Sequence, residues 1–190
     1  MQSKVKQKTD KELWDLLRKN NKTAFSLLYQ RHIKALFNFG LKFTSNRDLI
    51  KDVLQELFTD FWNKRTSLAE VEHVKVYLIK SFRYQLLKAI SNSNKSKIYR
   101  LEDLLKDVPE NEILENEIAF ERRLKLKEKL LHLPERQREV IHLKYFQNLK
   151  NEEIAEIINV NYQSVANLLH RAIKNLKKRL IQNKTHSINS

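Results

Sequence analysis

Residues Glu152–Leu176 read EEIAEIINVNYQSVANLLHRAIKNL. Ile154, Ala155 and Ile158 make one short apolar face, and Val165, Leu169, Ala172 and Leu176 recur at i, i+4, i+7 and i+11 as a second. Asn159-Val160-Asn161 leaves room only for a tight turn between them. This is helix-turn-helix spacing: a support helix at about 152–158, then a helix at about 162–180 whose outer face is free. That outer face carries Gln163, Ser164, Asn167, His170 and Arg171, followed by Lys174, Lys177, Lys178 and Arg179. Polar side chains at the start of such a helix can reach base edges in a major groove, while basic ones meet phosphates. An ordinary helical hairpin with a solvated basic face would show the same pattern.

Upstream, Pro134 suits the first turn of a helix whose Val140, Ile141 and Tyr145 point inward. A helical pattern also runs from about Glu112 through Phe120, Leu124 and Leu131. In the first hundred residues, Thr9 with Glu12 makes a capping-box pattern ahead of Leu13, Trp14, Leu16 and Leu17. From about Thr23, Phe25, Leu28, Tyr29, His32, Leu36 and Phe39 share one stripe. Ser45 or Asn46 can cap a third helix, on which Ile50, Val53, Leu54, Leu57, Phe58, Phe61 and Trp62 form a wide apolar face. The polar stretch Asn63–Glu70 breaks the period, and a fourth helix carries Val74, Tyr77, Leu78, Phe82 and Leu86. It dissolves into the Ser/Asn run 91–96, a boundary signal.

The chain has 190 residues, with one glycine, two prolines and no cysteine. A single glycine excludes glycine-rich phosphate loops and makes a hairpin-rich protein untenable; zero cysteines exclude disulfides and thiolate chemistry. No apolar run approaches the ~18 residues of a membrane span, and the first ten residues are polar, so a cytoplasmic protein with no membrane insertion of its own is expected. Six scattered histidines offer no metal-ligand spacing, and no carboxylate set lies on a folded element near a basic groove. We therefore expect no catalytic site, no metal and no cofactor.

The formal net charge is +14, which favours a polyanionic partner. Residues 1–100 hold 21 bases against 9 acids, residues 101–121 one base against 8 acids, and residues 122–180 14 against 6. Two basic modules thus flank an acidic connector. The expected architecture is all-α, with two small helical domains at 1–96 and 121–182, an acidic linker at 97–120 and a disordered tail at 183–190.

Two motif sets now stand in order along the chain. One is Leu133-Pro134-Glu135-Arg136-Gln137-Arg138-Glu139-Val140, Tyr145-Phe146, Glu152-Glu153-Ile154-Ala155-Glu156-Ile157 and Leu169-His170-Arg171-Ala172. It resembles region 4 of sigma factors, and more narrowly the extracytoplasmic-function (ECF) group of the sigma-70 family. The other is Ala24-Phe25, Leu28-Tyr29, Asp52-Val53-Leu54-Gln55-Glu56-Leu57-Phe58, Phe61-Trp62 and Tyr77-Leu78, which is similar to region 2.

The resemblance implies a promoter-specificity subunit that binds core RNA polymerase through the β′ clamp helices and the β flap. It would read −10 and −35 promoter elements and, like many family members, be held by an anti-sigma factor. It implies −35 contacts from Asn161, Gln163, Ser164, Asn167, His170, Arg171 and Lys174. It implies −10 contacts from Asn63, Lys64, Arg65, Tyr77, Lys80, Arg83, Tyr84 and Lys88, with the Asn63–His73 segment resembling the loop that captures an unstacked base. Asp52, Gln55, Glu56 and Thr59, an acidic and amide-bearing face on a basic module, would meet the polymerase.

The chain departs from the family in three places. Tyr84 stands where Asn is usual after Arg83, Ala166 and Leu168 replace basic residues, and Lys150 replaces a hydroxyl cap. Two other readings remain: a stand-alone helix-turn-helix regulator that binds duplex DNA without polymerase, and a basic helical interaction protein. The second gives no reason for the acidic face on a basic module.

Overall fold

The computed structural model describes residues 7–92, 126 and 128–186, with side chains in the last helix described to Lys178. The acidic linker at 97–120, the pattern from Glu112 through Leu124 and the final residues of the tail lie outside the described residues. Every regular element among those described is helical. The chain divides into two compact units, the first reaching to Lys97 and the second holding most of the remainder.

The first unit comprises α1 (Asp10–Arg18), α2 (Lys22–Gly40), α3 (Arg47–Asn63) and α4 (Val74–Asn92). Each of the first three begins at a side chain that satisfies an otherwise unpaired backbone N–H. Thr9 and Glu12 form the expected capping box, Asn21 Oδ1 accepts from Ala24 N–H at 2.9 Å, and Asn46, not Ser45, accepts from Leu49 N–H at 3.1 Å. The apolar stripes meet in one core that includes Leu13, Trp14, Leu28, Phe39, Ile50, Leu57, Phe61, Leu78 and Phe82. Trp14 lies edge-on to Phe61 at 5.5 Å and to Tyr77 at 5.4 Å, a favoured aromatic geometry.

The sole glycine sits at a close approach. A Cβ on Gly40 would lie 3.0 Å from Ile50 Cγ2 and 3.1 Å from the Phe82 ring, so an alanine there would make those side chains on α3 and α4 give by a few tenths of an ångström. The α2 stripe is less uniform than its period suggests. Tyr29 is 40% exposed and only edges onto Phe58, whereas His32 is buried.

His32 Nε2 lies 2.6 Å from Asp10 Oδ2, and Arg31 donates to Asp10 Oδ1 at 2.9 Å, tying the start of α1 to α2. The His32 hydrogen bond, then that of Arg31, holds the Asp10 carboxyl down at about 2 against the opposing effect of burial.

The second unit is drawn from a helical turn at 128–131, α5 (Glu135–Ile141), a π-helical turn (His142–Phe146), most of α6 (Asn151–Ile158) and α7 (Tyr162–His186). Pro134 occupies the position just before α5. Val140 and Ile141 are buried as expected, but Tyr145 is not: it is 61% exposed, and Phe146 is 60% exposed. The π turn is the reason. Gln147 N–H donates to the His142 carbonyl, a five-residue step, so positions after Leu143 rotate out of the 3.6 period on which the inward placement rested. Leu143 is fully buried, and Gln147 is buried with its amide 3.2 Å from His142 Nε2. Asn175 Nδ2 donates to Gln137 Oε1 at 2.9 Å, joining α7 to α5. Helix α7 runs six residues beyond the Leu180 end expected from the pattern.

With glycine absent from the turns, asparagine takes the left-handed positions: Asn20, Asn148 and Asn159 have φ of 67°, 53° and 54°. Asn159 is the C-cap of α6 and sets the corner into α7. Asn159→Ala is expected to destabilise the protein by about 1 kcal/mol and Asn159→Gly to leave it near wild type, measured by urea unfolding.

A second expectation concerns pH. Because the Asp10 value is lowered from 3.8 to about 2, its contribution is complete above 3.8 and lost as pH falls through about 2. The stability gap between wild type and Asp10→Asn should therefore be largest near neutral pH and close in strong acid.

Candidate nucleic-acid interface

After the corner at Asn159–Asn161, Val165, Leu169 and Ala172 are buried along one side of α7, and Ile154, Ile157 and Ile158 are buried on α6. Ile157, absent from the face read in the sequence, is as buried as its neighbours. The opposite face of α7 is open: Gln163, Asn167, His170, Arg171, Lys174, Lys177 and Lys178 are all exposed. Gln163 Nε2 donates to Asn167 Oδ1 at 3.3 Å, one turn on, so two amides stand together on this face. Asn161 has a second task, since its Oδ1 accepts from Ser164 N–H at 2.8 Å and caps α7; Ser164 is half-buried. Ala166 and Leu168 are half-buried at the two edges of the open face. At the start of α6 the missing hydroxyl is partly replaced, because Lys150 N–H donates to Glu153 Oε2 at 2.6 Å.

In the first unit, Asp52, Gln55, Glu56 and Thr59 are exposed at i, i+3, i+4 and i+7 on α3, opposite its buried stripe. Beside them runs a groove of about 820 Å³ between α2 and α3, floored by Phe25, Tyr29, Ile33, Phe37, Leu54 and Phe58. Gln55 and Thr59 form part of its wall, and Lys22, Lys34 and Lys51 line it as well. The groove was not legible in the sequence. It arises because Tyr29 and its neighbours lie on the α2 stripe but are not fully covered by α3.

The other group of candidate residues divides by geometry. Lys80, Tyr84 and Lys88 are exposed at i, i+4 and i+8 on α4, and Tyr84 is 69% exposed. Arg83 is half-buried beside the fully buried Phe82. Tyr77 packs between Trp14 and Phe61, so its ring belongs to the core edge. Asn63 and Lys64 are exposed, whereas Arg65 is engaged: its guanidinium lies 4.3 Å over the Trp62 ring and donates to the Trp62 carbonyl. Among the described residues no three His, Asp or Glu side chains gather as a metal site would need, and no helix is long and apolar enough to cross a membrane.

Residues 123–176 match the family model described as sigma-70, region 4. The chain is 26% identical over 169 residues to RNA polymerase sigma factor YlaC of Bacillus subtilis (strain 168), a match spanning 83% of this chain and 92% of that protein. Its fold is similar to CnrH, solved in complex with the cytosolic domain of CnrY, with a TM-score of 0.62 at 20% identity over 91% of this chain and 97% of that one. It is also similar to the sigma factor RpoE, solved with the anti-sigma factor NepR from Bartonella quintana: TM-score 0.61, 18% identity, 82% of this chain and 96% of that one. These two structures speak to the fold. The class is thus a two-unit helical protein whose second unit carries a sigma-70 region 4. Over most of its length the chain is also similar in sequence to a curated sigma factor.

Proposed function

We propose that the chain is a promoter-specificity subunit: it binds core RNA polymerase and directs initiation at promoters with −10 and −35 elements. The observation that carries this reading is the open polar and basic face of α7, standing on a helix-turn-helix within the region 4 match. The duplex meets Gln163, Asn167, His170, Arg171 and Lys174, with phosphates drawn by the cations and base edges by the amides. Asn161 and Ser164 contribute at the start of the helix, where the backbone N–H groups and the dipole favour an anionic phosphate. The exposed Asp52, Gln55, Glu56 and Thr59 face, with the apolar groove beside it, suits docking on the polymerase clamp helices. An apolar floor supplies area, and the acid and amide groups supply register.

Lys80, Tyr84 and Lys88, with Asn63, Lys64 and part of Arg83, form the surface for single-stranded −10 DNA. An exposed tyrosine between two lysines can stack a base while the cations meet the backbone. Arg65 and Tyr77 support this surface from beneath rather than touching DNA. The protein works by binding, with no chemistry of its own, in the cytoplasm. The anionic segment at 97–120 joins the two DNA-reading units in sequence, and an anti-sigma factor is a further partner. No observation favours a regulator acting without polymerase.

Run-off transcription tests the reading. Core polymerase with the chain should yield a discrete promoter-dependent transcript that core alone does not; its absence with the cognate core would refute the assignment. Arg171→Ala should weaken binding to the upstream element and lower the slope of log affinity against log salt by about one. An unchanged slope would remove Arg171 from the phosphate contacts.

A further inference from the structure

The segment between α3 and α4 opens with a turn closed by Ser67, whose backbone N–H and Oγ both donate to the Lys64 carbonyl. Beyond that turn it has no regular hydrogen-bonding pattern of its own, yet it is held along its length. Arg65 Nε donates to Asn20 Oδ1 at 2.5 Å, and Arg18 Nε donates to the Leu68 carbonyl at 2.9 Å. Trp14 Nε1 donates to the Ala69 carbonyl at 3.0 Å, and Lys11 pairs with Glu72.

As the loop advances through 65, 68, 69 and 72, its partners fall through 20, 18, 14 and 11. The loop therefore runs antiparallel along α1. Lys11, Trp14 and Arg18 stand at i, i+3 and i+7, which places them on one side of that helix. Two of the four ties seize main-chain carbonyls, so they set the path of the backbone and not merely the pose of a side chain. Thr66, Ser67, Ala69 and Glu70 are left exposed on the loop so held.

We propose that Trp14 and Arg18 are positioning residues for single-strand recognition, α1 serving as the splint that holds residues 64–73 ready to receive an unstacked base. The proposal rests on the reading of this loop as part of the −10 surface. Extruding a base is costly, and a loop already ordered adds no further ordering cost when the base arrives. Neither residue touches DNA; each acts through the backbone it holds.

The test uses the full chain assembled with core polymerase to select from a random-sequence single-stranded DNA pool, with the enriched bases read by sequencing. Arg18→Gln removes one tie at a partly exposed site, and Trp14→Phe removes the other while keeping an aromatic ring. Each should lower enrichment at a single base position about fivefold, the scale of one hydrogen bond, and leave the other positions and polymerase affinity unchanged. Arg18→Lys, which keeps a donor, should recover most of the loss. Variants that keep the wild-type preference, or that lose all positions together along with thermal stability, would overturn the positioning role alone. A wild-type complex with no base preference at all would overturn the −10 reading, and this proposal with it.

Discussion

The first unit is organised around Trp14. Its ring is 1% exposed and lies edge-on to one aromatic from α3 and one from α4, while its indole N–H reaches the Ala69 carbonyl. A large apolar body with one polar tip lets a single residue join three helices and a loop. Packing of α1 against the bundle and the course of the 64–73 segment are consequently the same problem. The capping box at Thr9 and the Asp10–His32–Arg31 contacts fix where α1 begins and how it meets α2, which sets the height at which Trp14 enters the core. Surfaces carried by α3 and α4 inherit their spacing from that insertion.

The second unit solves a smaller problem by different means. Two of its helices, α5 and α6, are short, and it buries polar groups that need partners, Gln147 against His142 among them. The π turn accommodates that pair and turns Tyr145 and Phe146 outward. The left-handed Asn159 then sends α7 off at the angle that leaves its amide and basic face open.

Hydrophobic period and caps made most of the helices legible before any coordinates. The apolar faces of α3 and α7 lie where the spacing puts them, as do the start of α4 at Val74 and the turn 159–161, whereas α6 buries Ile157 and leaves Ala155 half-buried. The open faces of α3 and α7 were legible for the same reason, since the side opposite a buried stripe must meet solvent. Tyr145 was misplaced because a π turn has no compositional sign and a 3.6 period was carried through it. The part played by α1 could not be read at all. A tryptophan on an apolar stripe looks like core, and nothing in sequence marks a distant backbone carbonyl as its acceptor. Asn161 and Arg65 show the same limit: their residue types suit contact with DNA, but the fold gives each an internal partner.

Asparagine at the corners bears on the denatured chain as much as on the native one. Glycine would accept these left-handed turns freely but would also leave the unfolded backbone with more states to surrender, worth about 0.4–1 kcal/mol at each site. With one glycine in 190 residues, the chain accepts slight local strain in exchange for a narrower denatured ensemble. Corners built this way resist bending, so the pitch at which the last helix leaves its support is inherited from backbone sterics and not from whatever it later touches.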